Sequence, residues 1–138
     1  MQSTLTTRDY DCLKAVKSLT ADGWVARVKD VATSMQVKPP TALGFLDRLV
    51  QMSAVEKGVV GYRLTQRGVK LVDDLTRSHR LFETLFFRTG IPLEEAHRIS
   101  SSIDRYVDDR AAALLCAQLD HPKRCPHEMP IPPCDQYD

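Results

Sequence analysis

No apolar run in this sequence approaches the length of a membrane span, and its first residues hold no apolar core of the secretory-signal kind. A soluble, cytoplasmic chain that stays off membranes is the expectation. Also missing are a Ser/His/Asp order, a nucleophile elbow and a phosphate-cradling glycine loop, so nothing in the sequence points to an enzyme. There are no internal repeats. Four cysteines at wide spacing do not make the disulfide framework of a small secreted domain. Net charge is also nearly absent, at +1. What is present is 138 residues, 43% hydrophobic and 27% charged, long enough for a core.

The small net charge conceals a division. Residues 1–72 carry 11 Lys/Arg against 6 Asp/Glu, a net +5, whereas residues 73–138 carry 8 against 12, a net −4. A basic half suits phosphate contact, and it contains the most patterned stretch of the chain, Val28 to Leu49. Val28, Val31, Ala32 and Met35 recur at helical spacing. Gln36-Val37-Lys38 forms a tight connection in which Val37 can fill the angle between two helices. Pro39-Pro40 opens a second helix, since a first-turn proline forfeits only amide hydrogens that lack partners anyway. There Leu43, Leu46, Leu49 and Val50 are expected to face inward, with Lys38, Thr41, Gly44 and Asp47 outward. This is a helix-turn-helix pattern, although an ordinary helical hairpin would share its spacing.

The residues beyond this pair of helices favour the DNA-reading version. Residues 54–57 and 61–64 alternate as two strands, with Gly58 and Gly61 bracketing their turn, and a hairpin directly after a recognition helix is a wing. Ahead of the pattern, Thr6-Thr7 caps a first helix to about Leu19, and Trp24 to Arg27 reads as a short extended piece. Candidate DNA contacts are Arg27, Lys38, Pro39, Pro40, Thr41, Gly44, Arg48 and Arg63. Thr65 then caps a long helix to about Thr89, stopped by Gly90. Its apolar residues Leu71, Val72, Leu75, Leu81, Leu85 and Phe86 exceed what one small domain needs, so a second subunit is expected on part of this face. Pro92 opens a helix to about Arg105, Asp108 caps a last one ending near Leu119, and the tail from His121, with five prolines, is expected to be irregular. Gly68, near the start of the long helix, is a local weakness. The expected architecture is mainly α with a small β wing: a winged helix-turn-helix at 1–72, a helical domain at 73–120 and a Pro/Cys-rich tail at 121–138.

Several segments resemble the diphtheria-toxin-repressor and manganese-repressor family of metal-dependent winged-helix regulators. They are D-C-L-K-A-V-K-S-L at 11–19, V-K-P-P-T at 37–41, Y-R-L-T-Q-R-G at 62–68, R-S-H-R-L-F-E at 77–83, G-I-P-L-E-E-A-H at 90–97 and H-P-K-R-C-P-H-E-M-P-I-P at 121–132. The resemblance implies a helical dimerisation domain carrying the metal sites, and a homodimer bound to a double-stranded DNA operator. The chain is expected to be the short form, without the SH3-like domain some members add. His79 and Glu83 match the family's H-x-x-x-E pair, two side chains on one helix face at i and i+4, and His97 matches the third ligand of that ancillary site. Such a trio could also be a surface ion-pair cluster. As a metal site it suits Fe(II), Mn(II) or Zn(II).

The family's primary site matches less well. Asp11 and Asp104 fall at ligand positions, but Ser101 is a poor neutral ligand and Arg105 a fixed cation that cannot coordinate. This site is expected to be degenerate, with Arg105 able to pair with Asp11 or Asp104 instead. Cys116, Cys125 and Cys134 are spaced nine residues apart just downstream. Thiolates suit an iron–sulfur cluster or zinc, with Cys12 a candidate fourth ligand; free or redox-active thiols are the alternative, and His121 and His127 between the cysteines keep zinc open. The functional expectation is a DNA-binding regulator, a repressor, responding to iron status through such a cluster. The alternatives are an Mn(II)- or Fe(II)-activated repressor of metal uptake using the His/Glu site, and a protein-interaction module that has lost DNA reading.

Overall fold

The computed structural model describes residues 5–134. In chain order it has α1 (Thr7–Leu19), α2 (Val28–Met35), α3 (Pro39–Gln51), β1 (Val55–Lys57), β2 (Tyr62–Leu64), α4 (Gln66–Arg88), α5 (Leu93–Ile103), a 3-10 turn (Asp104–Tyr106) and α6 (Asp109–Gln118). Two compact units result, and the division falls between Val72 and Asp73, inside α4. No helix among the described residues is long and apolar enough to cross a membrane.

The N-terminal unit begins with a reciprocal cap. Thr6 Oγ1 accepts from the Asp9 amide at 3.1 Å, and the Asp9 carboxylate accepts from the Thr6 amide at 2.8 Å. Tyr10, Leu13 and Val16 of α1 are buried, as are Val31, Ala32 and Met35 of α2, and α2 packs against both α1 and α3. Gln36 ends α2 in the left-handed region at φ +58°, and the Val37 amide returns to the Ala32 carbonyl at 3.0 Å. Pro39 and Pro40 open α3 as expected, but its inward stripe is Ala42, Leu46 and Leu49. Leu43 is 38% exposed and is not a core residue: Ala42, not Leu43, lies one turn before Leu46 on the buried face.

β1 and β2 pair antiparallel with Val55 opposite Leu64, Glu56 opposite Arg63 and Lys57 opposite Tyr62. The extended piece before α2 joins this hairpin, since Ala26 and Tyr62 exchange both amide hydrogen bonds, at 2.9 and 2.8 Å. That approach leaves no room for a side chain at Gly61, where a Cβ would lie 2.7 Å from the Ala26 carbonyl oxygen. Thr65 caps α4 by accepting from the Gly68 amide at 3.1 Å, and its hydroxyl donates to the Ser53 carbonyl.

Cys12 is completely buried in this unit. Burial, reinforced by Asp9 and opposed by Arg8, pushes its thiol up to about 12. A core thiol of this kind is a poor redox nucleophile near neutral pH, and Cys12 belongs to neither metal-binding group among the described residues.

In the C-terminal unit Gly90, at φ +102°, stops α4, and the Ile91 amide closes the turn on the Phe86 carbonyl at 3.1 Å. α5 ends at Ile103, two residues short of expectation, and passes into the 3-10 turn. Asp108 caps α6 by accepting from the Ala111 amide at 2.8 Å. The core gathers Leu81, Ala112, Ala113, Cys116, Leu119, Cys125, Ile131 and Cys134. The segment after α6 therefore lacks helix and strand but is not loose. The Ile131 amide bonds the Lys123 carbonyl at 2.9 Å, Arg77 of α4 donates to the Pro133 carbonyl at 3.1 Å, and Arg80 donates to that of Pro130. Of the α4 residues expected to exceed the needs of one chain, Val72, Leu75 and Leu81 are buried within it, while Phe87, absent from that expectation, is half exposed.

Candidate metal centre

Glu83 is the organising residue. Its side chain is 2% exposed, and three imidazoles converge on its Oε2: His97 Nδ1 at 2.7 Å, His127 Nδ1 at 3.1 Å and His79 Nε2 at 3.4 Å. His79 and Glu83 stand one turn apart on α4, His97 comes from α5, and His127 from the segment after α6. The Cys125 thiol, two residues before His127, lies within 4.8 Å of this carboxylate. Two ligand groups result, His79–Glu83–His97 and Glu83–Cys125–His127, and within each the donor atoms all lie within 4.8 Å of one another. His97 and His127 remain 54% and 38% exposed, so solvent and ions approach from their side while Glu83 forms the floor.

The donor chemistry fits a divalent transition ion. A buried carboxylate needs a cation or several donors beside it, and imidazole, carboxylate and thiolate together suit Fe, Mn or Zn. Asp104 completes the geometry from behind. Its carboxylate lies 3.0 Å from His79 Nδ1. A carboxylate only accepts, so that nitrogen carries the proton, and in the neutral ring this leaves Nε2, 3.2 Å from His97 Nδ1, as the nitrogen that could coordinate an ion. Carboxylate–histidine pairs of this kind fix ligand orientation around metals. Asp104→Ala is accordingly expected to weaken metal affinity by roughly 10–100-fold without changing how many ions bind, measured by competition with a chelator of known affinity.

The other expected ligands are placed differently. Asp11 pairs with Arg8 at 3.0 Å and Lys14 at 3.8 Å. Ser101 is exposed, and the Arg105 guanidinium lies over the Tyr106 ring, 4.6 Å from its centroid. Neither Asp11, Ser101, Asp104 nor Arg105 belongs to a metal-binding group among the described residues. The cysteines also separate by role. Cys125 belongs with Glu83 and His127, whereas Cys116 and Cys134 pack in the apolar core, with Cys116 Sγ 3.4 Å from His121 Nδ1. A cluster held by the three together is not supported. The place of His127 beside Glu83 is the feature that sequence reasoning misses; a tight turn, closed by the Glu128 amide on the Cys125 carbonyl at 2.8 Å, brings Cys125 and His127 to the same carboxylate, and the proline of C-P-H is the available signal for that turn.

Of the expected DNA contacts, Lys38, Pro39, Pro40, Thr41 and Gly44 are all exposed along the first turns of α3, and space beyond Gly44 is open. Arg27 is exposed at the start of α2 and Arg63 on β2. Arg48 is directed elsewhere: its Nε pairs at 3.3 Å with Asp9, a side chain only 1% exposed, which gives it a structural task.

A winged helix-turn-helix followed by a helical unit is the fold this chain shares with solved metal-dependent regulators. The chain belongs to the iron-dependent repressor family: residues 65–133 match the family model "Iron dependent repressor, metal binding and dimerisation domain". The manganese-activated repressor ScaR in its zinc-bound form is 35% identical with a TM-score of 0.78, over 91% of this chain and 60% of that one. The hypothetical protein SSo2273 from Sulfolobus solfataricus is 25% identical with a TM-score of 0.87, over 94% of this chain and 100% of that one. An uncharacterised HTH-type transcriptional regulator of Aeropyrum pernix is 28% identical over 83% of this chain and 64% of its own length. The chain thus spans somewhat under two thirds of two of these relatives and the whole of the third.

Proposed function

We propose that this protein is a homodimeric, cytoplasmic DNA-binding transcription regulator, a repressor, whose operator affinity is set by a divalent transition-metal ion at Glu83. The observation that carries the reading is the buried Glu83 carboxylate met by His79, His97, His127 and Cys125. An ion there would tie together α4, α5 and the segment after α6, which are distant in sequence. The relatives agree in kind, being a manganese-activated repressor, a manganese regulator and a metal-dependent transcriptional regulator. The primary site expected from the resemblance plays no part in this reading, since Asp104 serves His79 and Arg105 brings a fixed positive charge to that position. Nor does an iron–sulfur cluster.

The DNA surface is the start of α3 with the wing beside it. Lys38 supplies a phosphate contact and Thr41 a polar reach toward base edges. Gly44 offers no side chain, so backbone contacts and DNA shape carry more of the recognition than usual. Lys38→Asp and Thr41→Asp are each expected to weaken binding to operator duplex by about tenfold or more, with circular dichroism unchanged. Binding by wild type should fall steeply with salt, as phosphate contact demands. If both variants bind as the parent does, α3 is not the reader; if wild type binds no duplex at all, the fold serves protein interaction instead.

A further inference from the structure

The two ligand groups share a single residue, and that sharing has a chemical consequence. In each group the donors lie within 4.8 Å of one another. Two donors on one ion can be separated by at most about twice the usual bond length, roughly 4.0–4.6 Å for nitrogen, oxygen and sulfur on zinc, so either group needs at most a slight closure to hold one ion. His79 Nε2 and His97 Nδ1, 3.2 Å apart, already have about the spacing of two nitrogens on a tetrahedral ion. Cys125 and His127 approach Glu83 from the segment after α6, whereas His79 and His97 approach from α4 and α5. All three imidazoles meet the same oxygen, Oε2, and a carboxylate has two oxygens and about four lone-pair directions in all, enough for two ions.

Resting on the metal reading above, we propose that Glu83 bridges two metal ions, one completed by His79 and His97 and the other by Cys125 and His127. Carboxylate-bridged pairs of this kind stand about 3.5–4 Å apart, a separation one carboxylate spans. The two positions differ in character. The His79–His97 position, with nitrogen and oxygen donors, accepts Mn(II) and Fe(II) as well as Zn(II). The Cys125–His127 position has a thiolate and favours softer ions such as Zn(II). Each ion receives three protein donors and keeps an open coordination position, which the exposed edges of His97 and His127 leave accessible to water.

Cobalt(II) tests this, because its bond to a thiolate gives a near-ultraviolet charge-transfer band while both positions contribute visible ligand-field absorption. Titrated into reduced, chelator-stripped full chain, Co(II) should bind at two equivalents, with the charge-transfer band saturating after one of them. Cys125→Ser should lose the band and weaken one equivalent while keeping the other. His97→Ala should keep the band and weaken the opposite equivalent, and Glu83→Gln should weaken both. In the doubly loaded wild type, magnetic coupling between the ions should alter the electron paramagnetic resonance signal relative to either single-position variant. A wild type that saturates at one equivalent, with the band and with every ligand variant weakening that same ion, would overturn the bridge while sustaining metal binding. Two equivalents without coupling would also overturn it. Failure to bind any Co(II) would overturn the bridge together with the metal reading on which it rests.

Discussion

Glu83→Gln is expected to lower divalent-metal affinity by more than about 100-fold, since loss of even an outer partner of a metal ligand costs 10–100-fold and this residue belongs to both ligand groups. Glutamine keeps the shape of the side chain but removes the charge that attracts the ion and one of the acceptor positions around it. The Glu83 side chain is 2% exposed, so water does not replace the missing charge at that position. Calorimetric titration of Zn(II) or Mn(II) into stripped protein gives the affinity directly, and thermal melting gives an independent reading: ligand at 100 times its Kd stabilises the folded state by about 2.7 kcal/mol. Wild type should gain that increment with metal, and Glu83→Gln should melt at one temperature with or without it. An unchanged isotherm would remove Glu83 from the centre.

The second large effect is on stability. Gly68→Ala is expected to cost about 3 kcal/mol or more, the upper range or beyond for forcing extra volume into a packed site. A Cβ at Gly68 would lie 2.0 Å from the Ala54 carbonyl oxygen, 3.0 Å from the Ala54 carbonyl carbon and 3.3 Å from Leu64 Cδ2. The oxygen belongs to backbone that also accepts from the Thr65 amide at 3.0 Å, so it cannot swing aside as a flexible side chain would. Alanine at Gly44, with nothing within 4 Å, is the matched control; there the gain in helix propensity should leave stability equal or slightly raised. Urea denaturation of the two variants compares them, and a Gly68→Ala midpoint equal to wild type would contradict the close contact.

Gly68 also shows where sequence reading stops. By propensity it weakens the helix that Thr65 begins, and only the approach of Ala54, fourteen residues earlier in the chain, explains why it is needed. Features set by local chemistry are legible: the Thr6 cap, the Pro39-Pro40 start, the wing turn between Gly58 and Gly61, the Gly90 stop and the Asp108 cap. The His79–Glu83 pair is readable for the same reason, one helical turn on one face. Contacts between distant segments are not. The proline-rich segment reads as irregular because its order comes from Arg77 and Arg80, joined to Pro133 and Pro130 across 56 and 50 residues. Even spacing of Cys116, Cys125 and Cys134 suggests a shared ligand set, but spacing along the chain carries no information once one residue is helical and the others lie in a folded-back segment. Arg48 reads as an outward cation of α3 available to DNA, and its use becomes visible only with Asp9 buried beside it.

The central claim, that an ion at Glu83 governs DNA affinity, is tested most directly by measuring operator binding across a range of buffered free Mn(II), Fe(II) or Zn(II) in wild type and Glu83→Gln side by side. The metal-free proteins should bind duplex weakly and alike; wild type should then gain affinity saturably as its site fills, and Glu83→Gln should stay flat over that range. A gain of equal size in both proteins, or none in wild type whose site calorimetry shows to be full, would contradict the claim.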